Sequence, residues 1–237
     1  MQNKKMLTLA LGGLMAGALA FGANAQVITQ NLTYGSAGSP INTNFDSALT
    51  FVQFDTLGGL LTLDSVVLTL TATNDQSYDI TDTDGQSHGF TSIETLGRTY
   101  LRDNGPFPAG ANLLAPVDND QVFYSGPKIF VPANGGIHYD QVTLTHSSMN
   151  TLTSGAQYNS FIGTGSITTW VAGIGLDLSI TDSNLNKSPH TDGYGAVQVV
   201  YNYHPSGVPE PGSAALLIGM GVTGAGMLVR FRKRNKA

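Results

Sequence analysis

The chain contains no cysteine, which excludes disulfides, thiolate zinc sites and cysteine nucleophiles. Charge is scarce too. Only 11% of its 237 residues are Asp, Glu, Lys or Arg, against about 25% in an average soluble chain. Cations are scarcest between residues 26 and 207, where Arg98, Arg102, Lys128 and Lys187 face 15 acids, a net charge of −11. Binding a phosphate backbone needs Lys and Arg in number, so the composition speaks against a nucleic-acid partner. Glutamate is nearly missing, with only Glu94 and Glu210, and Trp170 is the single tryptophan. Between 26 and 207 no stretch carries the 3.6-residue periodicity of an amphipathic helix.

The remaining cations sit at the two ends. Lys4 and Lys5 precede an uncharged run from Met6 to Phe21, and Ala23-Asn24-Ala25 follows. A basic start, an apolar run and a small-x-small site form a secretory signal peptide. Residues 1–25 are therefore expected to be removed by signal peptidase, with Ala23 and Ala25 as the small residues of the cleavage site. At the other end, Val208-Pro209-Glu210-Pro211 is followed by 18 uncharged residues, Gly212–Val229, and then by Arg230-Phe231-Arg232-Lys233-Arg234. That length suits a membrane-spanning helix over about 213–229, with the basic tail 230–237 held on the cytoplasmic side. Pro209 and Pro211 keep Glu210 in extended backbone before the helix. Gly219-x-Gly221-x-x-Gly224 matches the letters of a dinucleotide fingerprint, but no strand precedes it and no acid follows. The glycines read as small residues of a membrane helix.

The three-part tail over 208–237 resembles the PEP-CTERM sorting signal of Gram-negative bacteria. The resemblance implies that Pro209, Glu210 and Pro211 are recognised by an exosortase, a membrane transpeptidase. Glu210 is then a substrate feature, not a catalytic acid. It further implies export across the inner membrane, a transient membrane anchor, and delivery to the cell surface or an extracellular matrix rich in exopolysaccharide.

The middle, residues 26–207, reads as one all-β ectodomain. In Asp64–Thr73, Val66, Leu68, Leu70 and Ala72 alternate with Val67, Thr69, Thr71 and Thr73. In Ala196–Tyr203, Val197, Val199, Tyr201 and Tyr203 share one face, and in Gly173–Thr181 so do Ile174, Leu176, Leu178 and Ile180. Alternation places one face of each strand in a core and the other in water. Gly-rich turns separate the runs, which predicts an antiparallel β-sandwich, jelly-roll-like. Asn74–Thr91 and Asp103–Asp120 are polar and turn-rich and are expected to be loops or distorted hairpins. The segment 45–75, with Phe51, Phe54-Asp55 and LLTLDSVVLTLTAT from Leu60, resembles the choice-of-anchor E extracellular domains. That resemblance implies fold and location, not a reaction.

Chemistry is harder to find. No Gly-x-Ser-x-Gly occurs, and His88, His138, His146, His190 and His204 form no metal-binding pair motif. No carboxylate pair of the kind a glycosidase needs is legible. His138 and Asp140 lie two apart and could share a strand face. An oxygen-rich stretch holding Asp79, Asp82 and Asp84 is the candidate calcium loop, although the EF-hand template fails, with Ile80 at its first position and Thr91 at its twelfth when Gly85 is the sixth. Asn and Asp serving turn chemistry explain the same residues. Asp118-Asn119-Asp120 is a weaker cluster, Trp170 could carry a sugar, and the Thr faces resemble an ice-binding array without its repeat. The expectation is a non-enzymatic exported surface or matrix protein with no obligate cofactor. The alternative is a secreted carbohydrate-binding or glycoside hydrolase-like protein.

Overall fold

The computed structural model describes residues 25–206 apart from Thr43, Asn104, Pro106 and Phe107. Ala23 and the rest of the signal peptide before Ala25 lie outside the described residues, as do Pro209, Glu210, Pro211 and the expected membrane helix. Among the described residues no helix is long and apolar enough to cross a membrane.

Alternation builds the strands where it is strongest. Val66, Leu68, Leu70 and Ala72 are fully buried, as are Val197 and Val199. Burying each such Val or Leu stabilises by about 1.5–3 kcal/mol. The strands are β1 (Gln26–Tyr34), β2 (Ile41–Asn42), β3 (Phe45–Val52), β4 (Leu61–Asp82), β5 (His88–Arg102), β6 (Val117–Val131), β7 (Gly136–Leu152), β8 (Ser166–Asp177), β9 (Ile180–Thr181) and β10 (Leu185–Pro205). One six-residue helix, α1 (Gly155–Ser160), joins β7 to β8.

All strand pairings are antiparallel. The first sheet runs β1-β10-β4-β7, with β2 also on β10; the second runs β3-β8-β5-β6, with β9 also on β5. Among the long strands only β5 and β6 are neighbours both in sequence and in a sheet; each other step between consecutive long strands crosses to the opposite sheet. This is a β-sandwich with jelly-roll strand order.

The interior has three zones. Tyr34, Phe51, Phe54, Leu68, Leu70, Phe161, Val171, Val199 and Tyr201 belong to the larger apolar core. Tyr78, Ile80, Phe90, Ile93, Val131 and Leu185 form a smaller one. Between them on β4 lie Asn74 and Gln76, both buried. Gln76 donates from Nε2 to the Asn119 carbonyl at 2.8 Å and accepts from the Thr95 hydroxyl. The Asn119 amide donates to the Ala72 carbonyl at 3.2 Å and to Asn74 Oδ1 at 2.5 Å. Gly97 and Gly175 stand opposite each other on β5 and β8. A Cβ on Gly97 would lie 2.7 Å from Asn74 Cγ, so a glycine is needed there for the polar layer to fit.

This layer corrects two expectations. Asn74–Thr91 is not a loop: β4 continues to Asp82, and only a tight turn separates it from β5. Likewise β6 begins at Val117, inside the stretch expected to be irregular. In both, hydrogen-bonded polar side chains interrupt the inward positions, Asn74 and Gln76 on β4 and Asn119 on β6, so the apolar alternation that reports a strand is broken. A third correction concerns β8 and β9. Leu176, Leu178 and Ile180 are 39%, 44% and 66% exposed, so the apolar side of that run faces out. The inward side carries Val171, Gly173, Gly175 and Asp177.

Candidate functional site

Two polar constellations stand out. The first is the turn between β4 and β5. Asp82 faces inward at the end of β4 and is buried. Its Oδ1 accepts the Asp84 amide at 3.3 Å and its Oδ2 the Asn134 amide at 2.9 Å. Gly85 turns the chain at φ 75°, in the left-handed region that favours glycine. Asp84 Oδ1 accepts the Gln86 amide at 2.9 Å, while Oδ2 meets His88 Nε2 at 2.8 Å and the Asn184 amide group at 3.1 Å. The Gln86 amide and then His88 hold the Asp84 carboxyl below its ordinary range.

Asp82, Asp84 and His88 can present ligand atoms within 4.8 Å of one another. Asp79 is not brought to this group. Asp79 and Asp82 are three apart on one strand, and a period of two puts them on opposite faces. Asp79 faces outward and contacts His138 Nδ1 at 2.7 Å. His138 also approaches Asp140 at 3.5 Å, so that pair does share a face. The calcium loop of the sequence reading is thus reduced to Asp82 and Asp84, with His88 added. Calcium takes six to eight oxygens, whereas both Asp82 oxygens already accept backbone amides. The turn that carries the chain from β4 to β5 closes His88 onto Asp84, a contact across a change of sheet that the period of two along a strand does not report.

The second constellation is a cleft of about 250 Å³ lined by Asn42, Asn44, Leu176, Asp177, Pro189 and Thr191. It lies where the chain passes from β2 on the first sheet to β3 on the second. The β3–β8 ladder stops at Phe45 and Gly173, so Ile174–Asp177 has a strand partner on its β5 side alone among the described residues. Leu185–Thr191 of β10 is likewise paired with β4 on one edge only. Two open strand edges, one from each sheet, therefore flank the cleft. Lys187 of β10 joins Asp177 of β8 at 2.7 Å, and the buried Tyr78 of β4 donates its hydroxyl to Asp177 Oδ1 at 3.0 Å. The Ser179 amide donates to the same oxygen at 3.0 Å. Burial pushes the Asp177 carboxyl up, but Lys187, Ser179 and Tyr78 outweigh it and hold it below its ordinary range. Asp177 ties the two sheets together beside the opening. Asn44 keeps a left-handed backbone, φ 69°.

The structure also pairs two carboxylates that the sequence left unpaired. Glu94 of β5 and Asp120 of β6 share the outer face of the second sheet, and burial and then the nearby Asp120 raise the Glu94 carboxyl. They interact directly on an open sheet face beside the bidentate Arg98–Asp118 pair, 2.6 and 2.7 Å. A glycosidase pair instead stands about 5–9.5 Å apart, flanking the scissile bond. Trp170 is half-buried on that same face, opposite Ala48 and Arg102.

Neither a protein-family model nor a curated protein matches the chain. Among solved structures, one of infectious bursal disease virus, Gx strain, is 16% identical over 81% of this chain and 44% of the viral chain, TM-score 0.17. The VP2 subviral particle of the same virus is 14% identical over 89% and 50%, TM-score 0.13. The chain thus spans half or less of those viral chains' length.

Proposed function

We propose that this chain is an exported, non-enzymatic surface protein. On this reading signal peptidase removes 1–25, an exosortase reads Pro209-Glu210-Pro211, and the ectodomain reaches the cell surface or an exopolysaccharide matrix of a Gram-negative bacterium. The observation that carries it is the sequence of the tail, in which Pro-Glu-Pro, 18 uncharged residues and a basic end follow one another. The ectodomain supports it in two ways. A domain with a net charge of −11 over 26–207 stays soluble by self-repulsion. Asp82, Asp84 and Asp177 are engaged with backbone amides, a histidine, a tyrosine and a lysine, which leaves the acids at both constellations committed to structure.

The test is mass spectrometry of the protein recovered from its native host. The mature species should lack 1–25 and the residues after Pro211, and Glu210→Ala should retain the tail. Recovery of the intact chain from the cytosol would overturn the reading.

A further inference from the structure

We propose that the cleft between β8 and β10 binds a single neutral sugar ring. The inference deepens the matrix reading above by naming the partner's chemistry, and it stands on the geometry of the cleft itself.

Size comes first. At about 250 Å³ the cleft lies below the roughly 300–1,000 Å³ of pockets for drug-sized ligands, so it admits one ring. The flanking strand edges raise the question of an extended peptide, because an unpaired edge can add a strand. The β10 edge is blunted against that. Pro189 has no N–H to offer, and Lys187 carries a charge along it, two devices that block strand addition.

The side chains then select the ligand. Asn42 and Asn44 each offer two N–H donors and a carbonyl acceptor, and the Thr191 hydroxyl both donates and accepts. A ligand that meets such groups must itself both donate and accept at neighbouring atoms, as vicinal hydroxyls do. Leu176, 39% exposed, and Pro189 supply carbon surface for the C–H face of a ring. Charge excludes the ionic alternatives. The carboxylate in the cleft, Asp177, is already matched by Lys187 at 2.7 Å, so it has no cation left to recruit. An anionic sugar would meet Asp177 within a domain of strongly negative charge. The three hydrogen-bonding partners of Asp177 also leave it no lone role as acid or base, so the cleft binds and does not cleave.

Ala25–Ser206 is one compact unit holding both apolar cores and the ten strands of the described residues, so that fragment carries its own fold. The experiment is an amide NMR titration of the labelled fragment with glucose, galactose, mannose, N-acetylglucosamine and glucuronate, each in turn. The expected result is a saturable shift of the Asn42, Asn44, Gly175, Asp177 and Thr191 amides with at least one neutral sugar, and weaker binding of glucuronate. Asn44→Gly keeps the left-handed backbone while removing the amide, so it should weaken binding about fivefold, the worth of one neutral hydrogen bond, with the melting temperature unchanged. Three results would each overturn the proposal: no saturation with any neutral sugar, glucuronate bound as tightly as the neutral sugars, or full binding by the Asn44→Gly variant. A negative titration alongside correctly processed ends would sink this inference alone; an intact cytosolic chain that still binds sugar would sink the export reading alone.

Discussion

Asp177 is the residue whose removal discriminates best, because it connects three elements at once. Asp177→Ala takes the acceptor from Tyr78, which is 0% exposed, and from the Ser179 amide. A buried hydroxyl left without a partner costs about 1–3 kcal/mol. The Lys187 pair adds little: its side chains are 34% and 20% exposed, and such pairs contribute about 0–1 kcal/mol. The loss should come to about 1–4 kcal/mol, a substantial part of the roughly 5–15 kcal/mol that stabilises a typical domain. Urea unfolding of the 25–206 fragment measures it. Asp177→Asn keeps an acceptor and should lose about 1 kcal/mol. In Tyr78→Phe the orphaned hydroxyl is gone, so Asp177→Ala made on that background should cost at least 1 kcal/mol less than in the wild type. The pH dependence follows from the lowered carboxyl. A group depressed on folding contributes fully above the unfolded carboxylate value of about 3.9. That contribution is lost as pH falls through the lower folded value, so wild type and Asp177→Ala should converge in acid. Additive losses of Asp177→Ala and Tyr78→Phe, with a gap that stays constant into acid, would refute the cross-sheet tie.

Three further outcomes follow from particular contacts. Gly97→Ala drives a methyl to 2.7 Å from Asn74 Cγ and should cost about 1–3 kcal/mol by overpacking in chemical denaturation; a neutral result would mean the polar layer is looser than described. Asp82→Ala strips the acceptor from the Asn134 and Asp84 amides and should lower stability by about 1–3 kcal/mol in EDTA as in calcium, and a loss seen in calcium alone would make the turn a cation site instead. Leu178→Ser, on the outer face, should move stability by no more than about 0.5 kcal/mol, whereas Leu68→Ala should cost about 2–5 kcal/mol; comparable losses would return Leu178 to the core.

How far the sequence reports the structure varies along single strands, and the reason is physical. In β4 the apolar alternation from Val66 to Ala72 identifies both the strand and its buried face, because those side chains line the larger core. Two and four residues on, the same strand carries Asn74 and Gln76 inward, and the pattern goes silent although the ladder with β10 continues unbroken to Asp82. Period-two reasoning detects a contrast between the two faces of a strand, so it fails where both faces are polar. It fails in a second way on β8. There the contrast is strong, but the inner face is the polar one, since Gly97, Gly175 and Asp177 line the layer between the two cores. Ile174, Leu176, Leu178 and Ile180 therefore sort to the outside, against the usual assignment. The cleft was invisible for a related reason. Asn42, Asn44, Asp177 and Thr191 are separated by up to 149 positions and share no motif. What unites them is topology: β3 leaves β8 early, β1 and β2 leave β10 early, and the two bared edges meet at one side of the sandwich. A carboxylate there must hold the sheets together across an opening that ladder hydrogen bonds no longer close, and Asp177, bound by Lys187 from one sheet edge and Tyr78 from the interior, is placed to do so.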